Sequence, residues 1–259
     1  MMDLNHIRDV AVKAGKSAAE LILSAKDRPK VAGYKGRANL VTKTDTESEQ
    51  LICEIIHDEF PDHGILAEES GSSLPESTFQ WIIDPLDGTT NFVHNYPSFA
   101  ISIGVYYHHK AMVGCIIELP ANHVYTAVKN QGAYCNDSSI SVSTVNELKK
   151  SLLVTGFGYE HGELWERNMI LFKRFTDMTQ GVRRLGAAAV DLCHVASGKV
   201  DGFWEFDLHP WDSAAGVLIV EEAGGKITQM DGSAYSIFDN QILASNSLIH
   251  EEMKQIIND

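Results

Sequence analysis

Asp84-Pro-Leu-Asp87-Gly88-Thr89-Thr90-Asn91 follows directly on the apolar run Trp81-Ile82-Ile83, which places two carboxylates, a glycine and a hydroxyl at the end of a strand. Pro85 lacks the N–H that a sheet ladder needs, so the chain is expected to leave the strand at Asp84. Gly88 permits a tight turn whose following amides can face a ligand, and a helix beginning near Thr90 would make those amides an anion site. Carboxylates beside such a turn suit metal and phosphate. Asp is also an ordinary turn and cap residue, so the stretch alone does not decide the matter. Calcium in an EF-hand is a poor fit, because that loop needs acidic residues at alternate positions before its glycine.

Working outward, the chain has 259 residues, 44% of them hydrophobic, enough to bury one large core. No stretch approaches the roughly 20 apolar residues of a membrane span, and MMDLNHIRDV at the start is charged without an apolar leader core. A cytoplasmic protein is expected. Cys53, Cys115, Cys135 and Cys193 are far apart with no CxxC pair, which predicts reduced thiols. Histidine shows no HExxH spacing; His57, His63, His108 and His109 are expected at the surface, and none as a zinc ligand. The net charge of −14 argues against nucleic acid as a partner. It also poses a problem for binding a phosphate ester, since clustered acids repel the substrate unless divalent cations invert the local field.

Apolar spacing predicts a helix over residues 4 to 25, and a second from Thr44 or Asp45, good cap types, to Phe60-Pro61. Ile65-Leu66-Ala67 and Trp81-Ile82-Ile83 read as strands that deliver acids at their ends. Alternation in residues 100–106, 112–117 and 123–128 predicts an antiparallel meander. Farther on, strands are expected at 151–155, 202–206, 225–228 and 242–244, with helices at 165–175, 186–197, 211–223 and 248–257. The chain therefore reads as α+β in residues 1–145 and α/β in 146–259. With no repeat or long linker, both halves are expected to share one domain.

The Asp84–Asn91 stretch resembles the first signature of the inositol monophosphatase family, Mg-dependent and lithium-sensitive phosphatases. Trp211-Asp212-Ser213-Ala214-Ala215-Gly216-Val217-Leu218-Ile219-Val220-Glu221-Glu222-Ala223-Gly224-Gly225 resembles the second, and Ala67-Glu68-Glu69-Ser70 falls where the family keeps an acidic metal ligand. Three motifs in the family's order are far more specific than one. The resemblance implies a layered α-β-α-β-α sandwich and two to three Mg ions. By residue, it implies Asp84 bridging two metals, Glu68 and the Leu86 carbonyl completing one, and Asp87 with Asp212 holding the other. Oxygen-only ligands favour Mg over Zn.

Further roles follow from the same resemblance. Thr42-Lys43-Thr44-Asp45 matches a segment whose acid, with Thr89 and the metal-bound Glu68, orients the attacking water; a helix cap is the alternative role for Asp45, and the two roles are compatible. Gly88 and Thr89 would hold the phosphate, and the Gly186-Ala187-Ala188-Ala189 segment and Glu205 the polyol hydroxyls, with Asp212 also near the leaving oxygen. Lys35 matches a family lysine, in a loop one residue shorter than the best-known pattern. Glu69 is expected to face elsewhere than the metals. Tyr159 stands where animal enzymes carry a small polar residue, which would reshape the ring pocket. The implied activity is Mg-dependent hydrolysis of a small polyol or sugar phosphate, inositol 1-phosphate first, by metal-activated water in a homodimer. Fructose 1,6-bisphosphatase, histidinol-phosphate phosphatase and nucleotide 3′-phosphatase are alternatives within the fold, and a regulatory binding protein is the alternative of another class. No Ser or Cys sits in a nucleophile elbow, so a covalent route has little support.

Overall fold

Asp3 accepts hydrogen bonds from the Asn5 and His6 amides and starts helix α1 (Leu4–Ala25), whose Ile7, Val10, Ala11, Ala14, Ala18 and Ile22 form one buried stripe. The computed structural model describes residues 3–26, 32–34 and 40–259. Lys35 lies outside the described residues. After α1 come β1 (Ala32–Tyr34), β2 (Leu40–Thr42), α2 (Lys43–Glu59), β3 (Gly64–Ala67), β4 (Gly71–Ser73), β5 (Phe79–Asp87) and the short α3 (Thr89–Val93). A meander follows: β6 (Phe99–Tyr107), β7 (Lys110–Leu119), β8 (His123–Val128), β9 (Ala133–Cys135) and β10 (Ser138–Ile140). The remainder runs β11 (Leu152–Thr155), α4 (Glu163–Met178), β12 (Gly181–Arg183), α5 (Ala188–Ala196), β13 (Gly202–Phe206), α6 (Pro210–Glu222), β14 (Lys226–Thr228), β15 (Gln241–Ser245) and α7 (His250–Asn258).

These strands form a β1-β2 ribbon, an eight-stranded sheet ordered β10-β9-β8-β7-β6-β5-β3-β4, and a five-stranded sheet ordered β12-β11-β13-β15-β14. Strand alternation then dictates the layers. Trp81, Ile83, Ile103 and Ile117 face Ile7 and Ile52 of α1 and α2, whereas Ile82 and Ile116 face α5 and α6. On the second sheet, Val154, Phe203 and Ala244 meet α5 and α6 from the other side, while Leu153, Trp204 and Leu243 meet Phe175 of α4 and Met253 of α7. The order is helix, sheet, helix, sheet, helix.

Three sequence expectations change. The strand does not end at Asp84 but continues to Asp87, with Asp84 opposite Ser102 and Asp87 opposite Ala100. One extra residue on β5 makes a bulge, which accommodates the missing N–H of Pro85. Helix α2 is capped by Thr42, not Thr44 or Asp45; Asp45 is the third helical residue and closes a capping box on the Thr42 amide. His63 is not a plain surface residue, since it stacks between Phe60 and Phe79 and accepts a hydrogen bond from Trp81 Nε1 at 2.9 Å. Most other elements match within a few residues, the longest discrepancy being α4, and all four cysteines are free. Among the described residues no helix is long and apolar enough to cross a membrane.

His250 is fully buried between Thr228 Oγ1 at 2.9 Å and Ser245 Oγ at 2.8 Å, and burial lowers its pKa from 6.5 to about 4. The unfolded chain therefore binds a proton between these values that the folded chain refuses, so stability falls as pH drops from 6.5 towards 4. The expected loss is about 3 kcal/mol. Denaturant titrations of His250→Gln should show a flatter pH profile in that window; an unchanged slope would assign the loss to other groups.

Candidate active site

One face of α2 sets out the site. Asp45, Ser48, Glu49 and Ile52 follow helical spacing and are all buried. Asp45 Oδ2 takes the Thr42 amide at 2.9 Å and the Thr42 hydroxyl at 2.5 Å, while Oδ1 takes the Thr89 hydroxyl at 2.8 Å. Ser48 Oγ donates to the Pro85 carbonyl at 2.9 Å. Glu49 accepts the amides of Glu69 at 2.7 Å and Ser70 at 2.8 Å, fixing the turn that carries Glu68. Asp45 thus has a cap function and a contact with Thr89 together.

The β5 bulge aims the acids. Asp84 Oδ1 accepts the Leu86 amide at 3.0 Å, and the Leu86 carbonyl lies 3.1 Å from Thr89 Oγ1. Gly88 takes φ 84°, a left-handed conformation that favours glycine, before α3. That helix has only five residues, so its first free amides matter more than any helix dipole. Asn91 Nδ2 reaches the Ser98 carbonyl at 2.6 Å and the Leu185 carbonyl at 2.8 Å, tying this loop to the chain just before α5. At the start of α5, the Ala189 amide donates to Asp87 Oδ2 at 2.8 Å. Asp212 is the third residue of α6 and accepts the His209 amide at 2.6 Å. The imidazole of His209 stacks on Trp211 and lies 3.6 Å from Asp212.

Glu68, Asp84, Leu86, Asp87, Gly88, Thr89, Ala188, Glu205 and Asp212 line a single cavity of about 850 Å³, with Tyr159 and Arg184 on its wall. Asp45 stands behind Thr89. Burial, then Glu68, Asp87 and Asp212 in turn, holds the Asp84 carboxyl well above its usual range. Burial and then Asp212 push Asp87 up to about 8, despite the amides that favour its ionised form. Glu205 is raised well above its usual range by burial and then by Asp212, with Arg184 opposing. Such a field repels an anion and attracts a hard cation.

The donor set of carboxylates and one backbone carbonyl suits Mg. Among the described residues no three acids, histidines or cysteines are already drawn into a ligating cluster.

Glu69 donates its backbone amide to Glu49 and is not among the residues that line the cavity. Tyr159, 44% exposed, is one of the residues that line the cavity, and burial followed by Asp87 raises its hydroxyl. Sequence reasoning missed Ser48, Glu49, Asn91, Arg184 and His209. Glu49 could have been found: it follows Asp45 by four residues on one helix face.

Comparison with known proteins assigns this layered fold and its acid-lined cavity to the phosphoric monoester hydrolases. The pattern of the inositol monophosphatase family matches residues 3–259, and the chain belongs to that family. It is 48% identical over 259 residues to the chloroplastic phosphatase IMPL1 of Arabidopsis thaliana, covering 97% of this chain and 70% of that one. It is 43% identical to an inositol-1-monophosphatase of Synechocystis sp., covering 98% and 90%. A putative Nus factor SuhB of Neisseria meningitidis is 38% identical, covering 98% of both. Among solved structures, the extragenic suppressor protein suhB of Bartonella henselae superposes with a TM-score of 0.94 at 33% identity, covering 98% and 99%. Inositol monophosphatase from Anabaena sp. gives 0.88 at 39%, covering 99% and 97%.

Proposed function

We propose that the chain hydrolyses a small polyol phosphate in a Mg-dependent reaction, inositol 1-phosphate being the leading substrate, with residues 1–259 acting as one catalytic unit in a homodimer. The observation that carries this reading is the convergence of Glu68 after β3, Asp84 and Asp87 on β5 and Asp212 on α6 on a cavity that also holds Glu205. Two or three Mg ions held by these acids and the Leu86 carbonyl would supply a Lewis acid and water of lowered pKa.

The protein's own groups divide the remaining work. The Gly88 and Thr89 amides bind phosphate oxygens. The Thr89 hydroxyl donates a hydrogen bond to Asp45, which leaves the Thr89 oxygen free to accept one from the attacking water. Burial raises the Asp45 carboxyl, and the hydrogen bonds from Thr42 and Thr89 oppose it. Asp212 stands towards the leaving oxygen, and Glu205 with the Ala188 segment receives ring hydroxyls. The relatives named as Nus factors favour a second reading, a regulatory binding role, which is compatible with catalysis on the same scaffold.

Glu205→Leu decides the substrate. Loss of a buried acceptor should lower kcat/KM for inositol 1-phosphate about 10- to 100-fold and leave an aryl phosphate nearly unaffected. Equal losses on both would place Glu205 in support of the acids instead. A wild-type preference for fructose 1,6-bisphosphate or histidinol phosphate would move the substrate and keep the chemistry.

A further inference from the structure

Asp191 is 1% exposed, yet neither of its carboxyl oxygens has a hydrogen-bond partner among the described residues. Its backbone is ordinary, with the amide donating to the Ala187 carbonyl at 3.0 Å in the first turn of α5. Only the side chain is orphaned. A buried carboxylate without partners costs several kcal/mol, and here Glu205 and then Asp87 repel it while Arg184 alone opposes them. The neutral acid avoids that cost, but its O–H then needs an acceptor.

The strongest electrostatic neighbour is Glu205, 7% exposed on β13, against which α5 packs. Gly156 closes one flank of that carboxylate, since a Cβ there would run into it. We propose that Asp191 is a positioning residue for Glu205: its carboxyl O–H, through one buried water, fixes the Glu205 carboxylate so that its remaining lone pairs face substrate hydroxyls. This rests on the reading of Glu205 as the polyol acceptor. It gives α5 two separate tasks within one turn. The Ala189 amide holds Asp87, and Asp191 sets the selectivity end of the pocket.

The test uses the full chain in saturating Mg with inositol 1-phosphate and an aryl phosphate. Asp191→Val, which removes the donor, should raise KM for inositol 1-phosphate about tenfold, the loss of one hydrogen bond at about 1.4 kcal/mol per decade, with kcat and the aryl phosphate nearly unchanged. Asp191→Asn keeps a donor and should restore KM to within about threefold of wild type. An unchanged KM in the Val variant, equal losses on both substrates, or an Asn variant as impaired as Val would each overturn the proposal. Should Val prevent folding, the infrared difference between wild type and Asp191→Asn at neutral pH gives the answer: a protonated-carboxyl band present only in the wild type is expected, and its absence overturns the proposal. A wild type indifferent to the two substrates would instead sink the substrate reading.

Discussion

Asp84→Asn should lower kcat/KM by about a thousandfold or more in saturating Mg, because a charge meant to face cations is worth several kcal/mol at about 1.4 kcal/mol per decade. Asn retains an oxygen for the Leu86 amide, so the bulge and turn should survive. Asp84 is 2% exposed and crowded by Glu68, Asp87 and Asp212, so in chelator the neutral variant should melt no lower than wild type. Lost activity with retained melting temperature separates chemistry from folding. Activity within tenfold of wild type would remove Asp84 from the centre of the proposed site.

Gly114→Val should be strongly damaging although it lies outside the cavity. A Cβ at Gly114 would stand 2.6 Å from the Ala215 carbonyl oxygen, and one at Gly104, on the next strand, 2.8 Å from the Ala214 Cβ. Helix α6 lies directly on these two strands, and its backbone cannot yield locally because its other side packs against β14. Overpacking of this kind costs up to about 3 kcal/mol, a fall of about 6–12 °C in Tm for a chain of this size. The same displacement moves Asp212, one turn earlier, so kcat should fall as well. A Val variant that melts with wild type would show that α6 can shift without loss.

The sequence made most elements and most acids legible because both obey short-range rules, whereas the order of the layers came only from the family resemblance. Period-2 alternation in β6 and β7 and the stripe of α1 needed no tertiary knowledge, and Asp84, Asp87 and Asp212 lie in contiguous motifs. What stayed hidden depends on three-dimensional return. The bulge at Pro85 is visible only through the register with β6. The short strands β4, β9, β10 and β12 carry three residues each, too few for a period. Glu49, Asn91 and Asp191 act across gaps of roughly 20 to 100 residues or through burial, and Asp191 is an ordinary helix residue until its missing partners are seen.

Helix α2 deserves a last consequence. Its Asp45, Ser48 and Glu49 hold Thr89, the Pro85 carbonyl and the turn of Glu69 and Ser70, so one helix face adds to the β3–β5 pairing that already joins these segments. Those segments should therefore share one local opening equilibrium. The amide protons of Glu69 and Ser70, although they belong to a surface turn, should exchange with solvent at the rate of α2 and not at the rate of a loop. A single partial unfolding of α2 would then dismantle the Thr89–Asp45 hydrogen bond and the Glu68 turn together, which makes this helix the point at which heat or denaturant should abolish activity before the rest of the sandwich melts.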